Sequence, residues 1–253
     1  MPALFIGHGS PMNALADNDF TRALRSLGLR LPRPRSIMVV SAHWHTKSPL
    51  VNCARNPEQI YDFFGLPPDL YGVKYPCPGA PEDAQLAART TKYLVNCTPE
   101  WGIDHAAWAV LAHLYPEADV PVFELGIDPA MDPRSHYELG RHLAALRRSG
   151  ILVIGSGNLV HNLRMMEYEM EAEPHDWAVE IDEKLKSLIL SGDHGALVNY
   201  RDMGRNMLLA APESDHFIPL LYVLSMQEAS DGITFFHEGI QHGTISMRSF
   251  VIG

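Results

Sequence analysis

Apolar residues in this chain gather into short runs separated by longer amphipathic stretches. The early runs are ALFIG at 3–7, SIMVVSA at 36–42, VPVFELGI at 120–127 and GILVIGSG at 150–157. They are almost continuously apolar, as strands buried on both faces of a parallel sheet must be. Two later runs, GITFFHEGI at 232–240 and GTISMRSFVIG at 243–253, come closer to alternation. The QHG that joins them predicts a hairpin.

The intervening stretches carry helical spacing. NDFTRALRSLGLRL (18–31) sets Phe20, Leu24 and Leu27 on one stripe. APEDAQLAARTTKYLVN (80–96) has a proline in its first turn, and PRSHYELGRHLAALRRSG (133–150) ends in basic residues and a glycine. Both are ordinary helix punctuation. WAVEIDEKLKSLILSGD (177–193) is a fourth helical stretch. Strands alternating with helices predict an α/β fold: a mainly parallel central sheet flanked by helices, with a C-terminal β-hairpin. No repeat, low-complexity tract or linker divides the chain, so a single domain over 1–253 is expected. One long segment, RNPEQIYDFFGLPPDLYGVKYPCPGAP (55–81), is crowded with prolines, glycines and aromatics. Loops of that length are often walls or lids of binding sites.

Composition narrows the function. An apolar content of 46% and a charged content of 20% are ordinary for a globular protein. The formal charge of −10, with no basic cluster longer than Arg147–Arg148, argues against a nucleic-acid partner. No run approaches the ~20 apolar residues of a membrane span, and the N-terminus lacks the basic start of a signal peptide. A cytoplasmic location without a membrane partner is the expectation. Cys53, Cys77 and Cys97 are odd in number and lack CxxC spacing, which predicts free thiols.

The histidines are more informative. His8 follows the first strand between two glycines, His43 comes directly after the apolar run in VVSAHW, and His161 lies just past the fourth run. Carboxyl ends of parallel strands line one edge of a sheet, where ligands bind. Convergence of the three would make an imidazole-rich metal site. Two segments offer further ligands: Glu213, Asp215 and His216 in APESDHFIPLLY, or His237, Glu238 and His242 in FFHEGIQHG. Spacing alone does not choose between them. WGIDHAAW places Asp104, His105 and Trp108 at a helix start, where His105 could bond a ligand or cap the helix. GSGN (155–158) lacks the full GxGxxG and P-loop patterns, and neither Ser10 nor Ser156 sits in GxSxG. His45, His113, His136, His142, His175 and His194 read as surface or structural residues.

Eight segments in order resemble the DOPA 4,5-dioxygenase-like family of class III extradiol ring-cleavage dioxygenases, relatives of protocatechuate 4,5-dioxygenase. They are GHGSPMNAL, VVSAHW, IYDFFGLPPDLY, YPCPGAP, GIDHAAWAVLAHLYPEADVPV, GSGNLVHNLR, DHFIPLLYVL and GTISMRSFVIG. The resemblance implies one mononuclear divalent metal, Fe2+ or Zn2+, held by His8, His43 and His216. It places His161 at the metal too, as a fourth ligand or as the acid–base residue, with His105 facing the substrate. It implies that a catechol such as L-DOPA, together with O2, is converted to a muconic semialdehyde. Tyr61, Phe63, Phe64 and Tyr71 are expected to wall the ring. Two other functions fit the same residues: a non-enzymatic metal- or protein-binding member of the fold, and a zinc-dependent hydrolase.

Overall fold

The computed structural model describes residues 1–253 and centres on an eight-stranded sheet. In chain order its strands are β1 (Ala3–Gly7), β2 (Ser36–His45), β3 (Leu50–Asn52), β4 (Asn96–Thr98), β5 (Val122–Ile127), β6 (Ile151–Gly157), β7 (Ile233–His237) and, after a small ribbon of β8 (Ile240–Gln241) and β9 (Ile245–Ser246), β10 (Ser249–Ile252). Across the sheet the order is β4-β3-β5-β2-β6-β1-β10-β7. The central β5, β2, β6 and β1 are mutually parallel; β3 pairs antiparallel with β5, and β10 pairs antiparallel with β1 and β7. The expected mainly parallel α/β sheet and C-terminal hairpin are both present.

Alternation along the strands explains the uninterrupted apolar runs. Leu4, Ile6, Ile37, Val39, Leu152 and Ile154 enter one core layer, under helices Asp19–Gly28 and His105–Leu114. Their neighbours Phe5, Met38, Val40, Ile151 and Val153 point to the opposite face, against helices that include Pro133–Leu143, Asp176–Ser191 and Ile218–Ser225. A strand covered on both sides needs no polar face.

Several boundaries differ from the sequence pattern. β2 continues to His45, so His43 lies inside the strand's last turns of pleat. The helix expected over 80–96 stops at Thr90, and Asn96–Thr98 joins the sheet edge by pairing with β3. The helix expected over 133–150 breaks at Ala144. Beyond the break Arg147 turns inward, donating to the carbonyls of Met1 and Met226 and pairing with Asp231. The QHG turn belongs to the β8–β9 ribbon, an excursion from the β7–β10 pair. His242 and Gly243 both take positive φ there, as a tight turn demands.

His136 is structural. Nε2 donates to the Asp128 carbonyl, which leaves Nδ1 to accept from the Tyr222 hydroxyl, each at 3.0 Å. Burial pushes its pKa down to about 4. The unfolded chain therefore takes up a proton near pH 6.5 that the native state refuses until about pH 4. This group's contribution is complete above the unfolded value and is lost as pH falls through that window. H136Q should reduce the slope of unfolding free energy against pH by about one proton, ~1.4 kcal/mol per pH unit, between those limits. Urea titrations across the window measure it, and an unchanged slope contradicts the assignment.

Candidate active site at the carboxyl edge of the sheet

Chain geometry brings four distant segments to one point. His8 leaves the end of β1, and its N–H donates to the Gly157 carbonyl at the end of β6. The glycines on either side of it are required by contact: a Cβ on Gly7 would lie 2.7 Å from the Ser246 carbonyl, and Gly9 has φ +61° against the Met247 side chain. Gly157 serves the other segment. A Cβ there would stand 2.2 Å from the His216 carbonyl, which instead accepts from Asn158 N–H at 2.9 Å. The stretch carrying His216 is thereby laid directly on the strand end.

Three imidazoles are anchored through Nδ1. The Ser156 hydroxyl donates to the Ala106 carbonyl at 2.6 Å, so it accepts from His8 Nδ1–H at 3.0 Å. His216 Nδ1–H donates to Asp215 at 3.1 Å. His43 Nδ1 lies 3.3 Å from Asp62 Oδ2. In each case Nε2 is left with its lone pair. His8 Nε2 and His43 Nε2 are 3.2 Å apart, and His216 Nε2 is buried with no partner. The three form a group whose donor atoms all lie within 4.8 Å of one another.

Lone pairs facing each other at that distance repel unless a cation lies among them. Two imidazole nitrogens sharing a tetrahedral ion at ~2.0–2.1 Å would stand about 3.3 Å apart. The donor set thus fits one divalent metal, and imidazole suits iron and zinc alike.

Asp62 clamps a second pair of rings. Its Oδ2 meets His105 Nδ1 at 2.8 Å as well as His43, and its Oδ1 accepts the His105 backbone N–H at 3.0 Å. Burial raises this carboxyl's pKa, but the His105 hydrogen bonds outweigh that and hold it below the ordinary range. Asp62, His43 and His105 also form a possible ligand group. Because the carboxylate is engaged with the Nδ1 side of both rings, it orients them. His161 lies beside this set: its ring stacks on His216 with centroids 3.5 Å apart and planes 7° from parallel.

A buried layer supports the rings from behind. Ser41 Oγ accepts the His43 N–H and donates to Asp104, which also caps helix His105–Leu114 through Ala106 N–H. Glu124 on β5 accepts the Asp104 N–H and the Trp101 indole N–H. Burial and the neighbouring carboxylates push Asp104 up to about 6 and Glu124 well above its usual value. The pair is held by donors on all sides, which fixes where β2 and this helix meet.

Of the residues singled out from sequence, His8, His43, His105, His161 and His216 line one cavity of about 920 Å³. Asp215 sits behind His216, where burial is outweighed by the His216 imidazole and holds its carboxyl down at about 2. Glu213 pairs loosely with Arg164 on the surface. His237 packs on Phe20, and Glu238 pairs with Lys186 and Arg248, so neither joins the cluster. His242 reaches the outer cavity with Nδ1 on the Glu167 carbonyl. Ser156 is fully buried behind His8, which excludes it as a surface nucleophile.

The aromatic wall needs correction. Phe63 and Phe64 line the cavity, whereas Tyr61 and Tyr71 pack behind Phe63, Tyr61 donating to the Val73 carbonyl. Asp62, in YDFFG, is a site residue that the motif and spacing arguments do not single out. An acid enclosed by apolar rings was the available signal, since burial without a partner is costly.

An α/β sheet that gathers a histidine cluster in an open cavity at its carboxyl edge presents a donor group able to hold a metal ion. Residues 2–252 match LigB, described as the catalytic LigB subunit of aromatic ring-opening dioxygenase. The chain belongs to this family and is accordingly an enzyme of the extradiol ring-opening dioxygenase class. It is 45% identical over 258 residues to 4,5-DOPA dioxygenase extradiol of Escherichia coli K12, covering 100% of this chain and 95% of that one. The 4,5-DOPA dioxygenase extradiol of Portulaca grandiflora is 34% identical over 266 residues, covering 98% and 94%. Among solved structures, that of an uncharacterized E. coli K12 protein superposes with a TM-score of 0.87 at 41% identity, covering 100% of both chains. No helix is long and apolar enough to cross a membrane.

Burial, with the charge of neighbouring rings next, lowers the pKa of His8 and His43 well below 6.5. Burial first, then His216, does the same to His161. In metal-free protein, ring ¹⁵N spectra should show all three neutral throughout pH 6–7, with His8 and His43 as Nδ1–H tautomers. A protonated ring among them at pH 7 contradicts the geometry.

Proposed function

We propose that this chain is a metal-dependent extradiol dioxygenase that opens a catechol ring, with L-DOPA as a reference substrate, O2 as co-substrate and a muconic semialdehyde as product. The observation that carries this reading is the trio of inward-facing Nε2 lone pairs on His8, His43 and His216 in an open cavity. These three residues would hold the ion, which would supply Lewis acidity toward the catechol hydroxyls and, as Fe2+, the redox capacity toward dioxygen that Zn2+ lacks.

The protein's own groups supply positioning and proton transfer. Phe63 stands edge-on to His105 and offers an apolar face to the ring. His105 is the acid–base residue on that side. Its Nδ1–H is committed to Asp62, so Nε2 accepts a phenolic proton, and the adjacent carboxylate stabilises the imidazolium that results. His161, stacked flat on His216 and kept neutral by burial, serves as a second acid–base group facing the same space. The stacked placement favours that role over a fourth ligand, because its ring lies alongside the ligand ring. The burial of these rings limits water around the reacting carbons.

Reconstitution with Fe2+ under argon, followed by L-DOPA or another catechol in air, should consume oxygen and give a yellow ring-opened product. Failure with every member of a broad catechol panel removes the proposal. H43A should lose tight metal retention, and unchanged metal stoichiometry refutes the ligand assignment.

H105Q should lower kcat by roughly 10²–10⁴-fold while metal content stays near wild type, the usual range for a general acid–base residue. A kcat within a few-fold of wild type assigns the proton transfer elsewhere.

A further inference from the structure

His242 holds a conformation that its neighbours impose. It is one of two non-glycine residues with positive φ, at +52°. A side chain is strained there, and glycine or asparagine would suit the position better. Three hydrogen bonds to one segment keep it in place. Its N–H donates to the Met170 carbonyl at 2.9 Å, its carbonyl accepts from Glu167 N–H at 2.9 Å, and its Nδ1–H donates to the Glu167 carbonyl at 3.0 Å. The residue is 8% exposed and lines the active-site cavity. Strain held in place by several bonds at a cavity wall points to a task for the side chain.

The ring has one polar atom to spare. A carbonyl only accepts, so Nδ1 carries the proton and Nε2 of the neutral ring keeps its lone pair. The ring's station is also fixed relative to the other histidines. His242 turns the corner of the β8–β9 ribbon, whose Ile245 bridges to His161 and whose Thr244 hydroxyl donates to the Asn162 carbonyl. On the other side Gln241 and Asn13 exchange carboxamide hydrogen bonds at 3.0 and 3.3 Å, and Asn13 also donates to the His8 carbonyl. One ribbon thus ties His242 to the segments that carry His8 and His161.

An acceptor needs a ligand that brings a donor. No lysine or arginine lines the cavity, Asp62 is a carboxylate within it, and the chain's formal charge is −10. That balance favours a cationic group over an anionic one. Phe64 and Tyr168, 93% and 91% exposed, leave the cavity open, so a carboxylate on the same substituent stays in water. We propose that His242 is a specificity-determining residue: its Nε2 accepts a hydrogen bond from the side-chain ammonium of a catechol amine or catechol amino acid whose ring sits at His8, His43 and His216. The ring's placement rests on the extradiol reading, the amine contact on residues of its own.

H242N separates the contact from the fold. Asparagine tolerates positive φ, and its amide nitrogen stands where Nδ1 does, so the bond to Glu167 survives while Nε2 is removed. With Fe2+-loaded enzyme, H242N should lower kcat/KM for L-DOPA and dopamine about tenfold more than for 3-(3,4-dihydroxyphenyl)propionate, which lacks the amine; a hydrogen bond to a charged group carries a factor of that size. The loss should fall on KM rather than kcat. H242G, unstrained at this φ, should give the same ratio. Under argon, calorimetric Kd values for the three catechols should shift in the same ratio, a readout that needs no turnover. Equal losses for all three in both measurements overturn the amine contact and leave ring opening intact. An amine-dependent Kd ratio without turnover of any catechol overturns the dioxygenase reading and leaves the contact at His242 standing.

Discussion

Each of the three imidazoles proposed as ligands has its Nδ1 turned toward an oxygen of the protein: Ser156 for His8, Asp62 for His43, Asp215 for His216. That constraint fixes the tautomer, and the tautomer fixes where the remaining lone pairs point. Without those oxygens the rings would rotate or bond water, and the 3.2 Å approach of His8 Nε2 to His43 Nε2 would have nothing to maintain it. Partners of this kind are as much a part of a metal site as its ligands. The positions of the oxygens follow from the fold. Ser156 belongs to β6 beside the end of β1, Asp62 to the irregular 55–81 segment, and Asp215 to the segment that Gly157 admits against the sheet.

Asp62 has the widest reach of the three. It links His43, proposed as a ligand, to His105, proposed as the acid–base residue, so the orientation of both rings is set by one carboxylate. The price is a half-buried anion in apolar surroundings, stabilised by N–H donors from both histidines' vicinity and by His105's own backbone. The Asp104–Glu124 layer performs a similar service one step further back, tying the backbone of β2 to the start of helix His105–Leu114. Few solvent contacts reach these groups, which is why they are structurally stiff and electrostatically perturbed together.

The parts of this arrangement visible in the sequence were those governed by local pattern. Apolar runs identified the central strands, because strands covered on both faces carry no polar alternation. A strand end followed by glycine and histidine marks His8, a histidine directly after an apolar run marks His43, and one just past a strand and a glycine turn marks His161. Pairing at a distance was less legible. Asn96–Thr98 became a strand only because β3 offered an edge, and the turn at Ala144 reflects the inward destination of Arg147. The choice between His216 and the His237–His242 group was likewise unreadable from spacing. It depends on which segment Gly157 lets approach the sheet, a tertiary contact.

The division of the cavity into a polar floor and a largely apolar rim has a physical origin in the same topology. The floor is built around strand ends: His8 follows β1, His43 lies in β2, and His216 is laid on the end of β6. The rim comes from the loop around Phe64 and the irregular stretch from Leu163 to Met170, which carry large apolar groups into solvent. The proposed chemistry therefore rests on groups held by the sheet and by the segments packed on its edge. The rim hangs on the connecting segments, so the two parts of the cavity are held by different constraints.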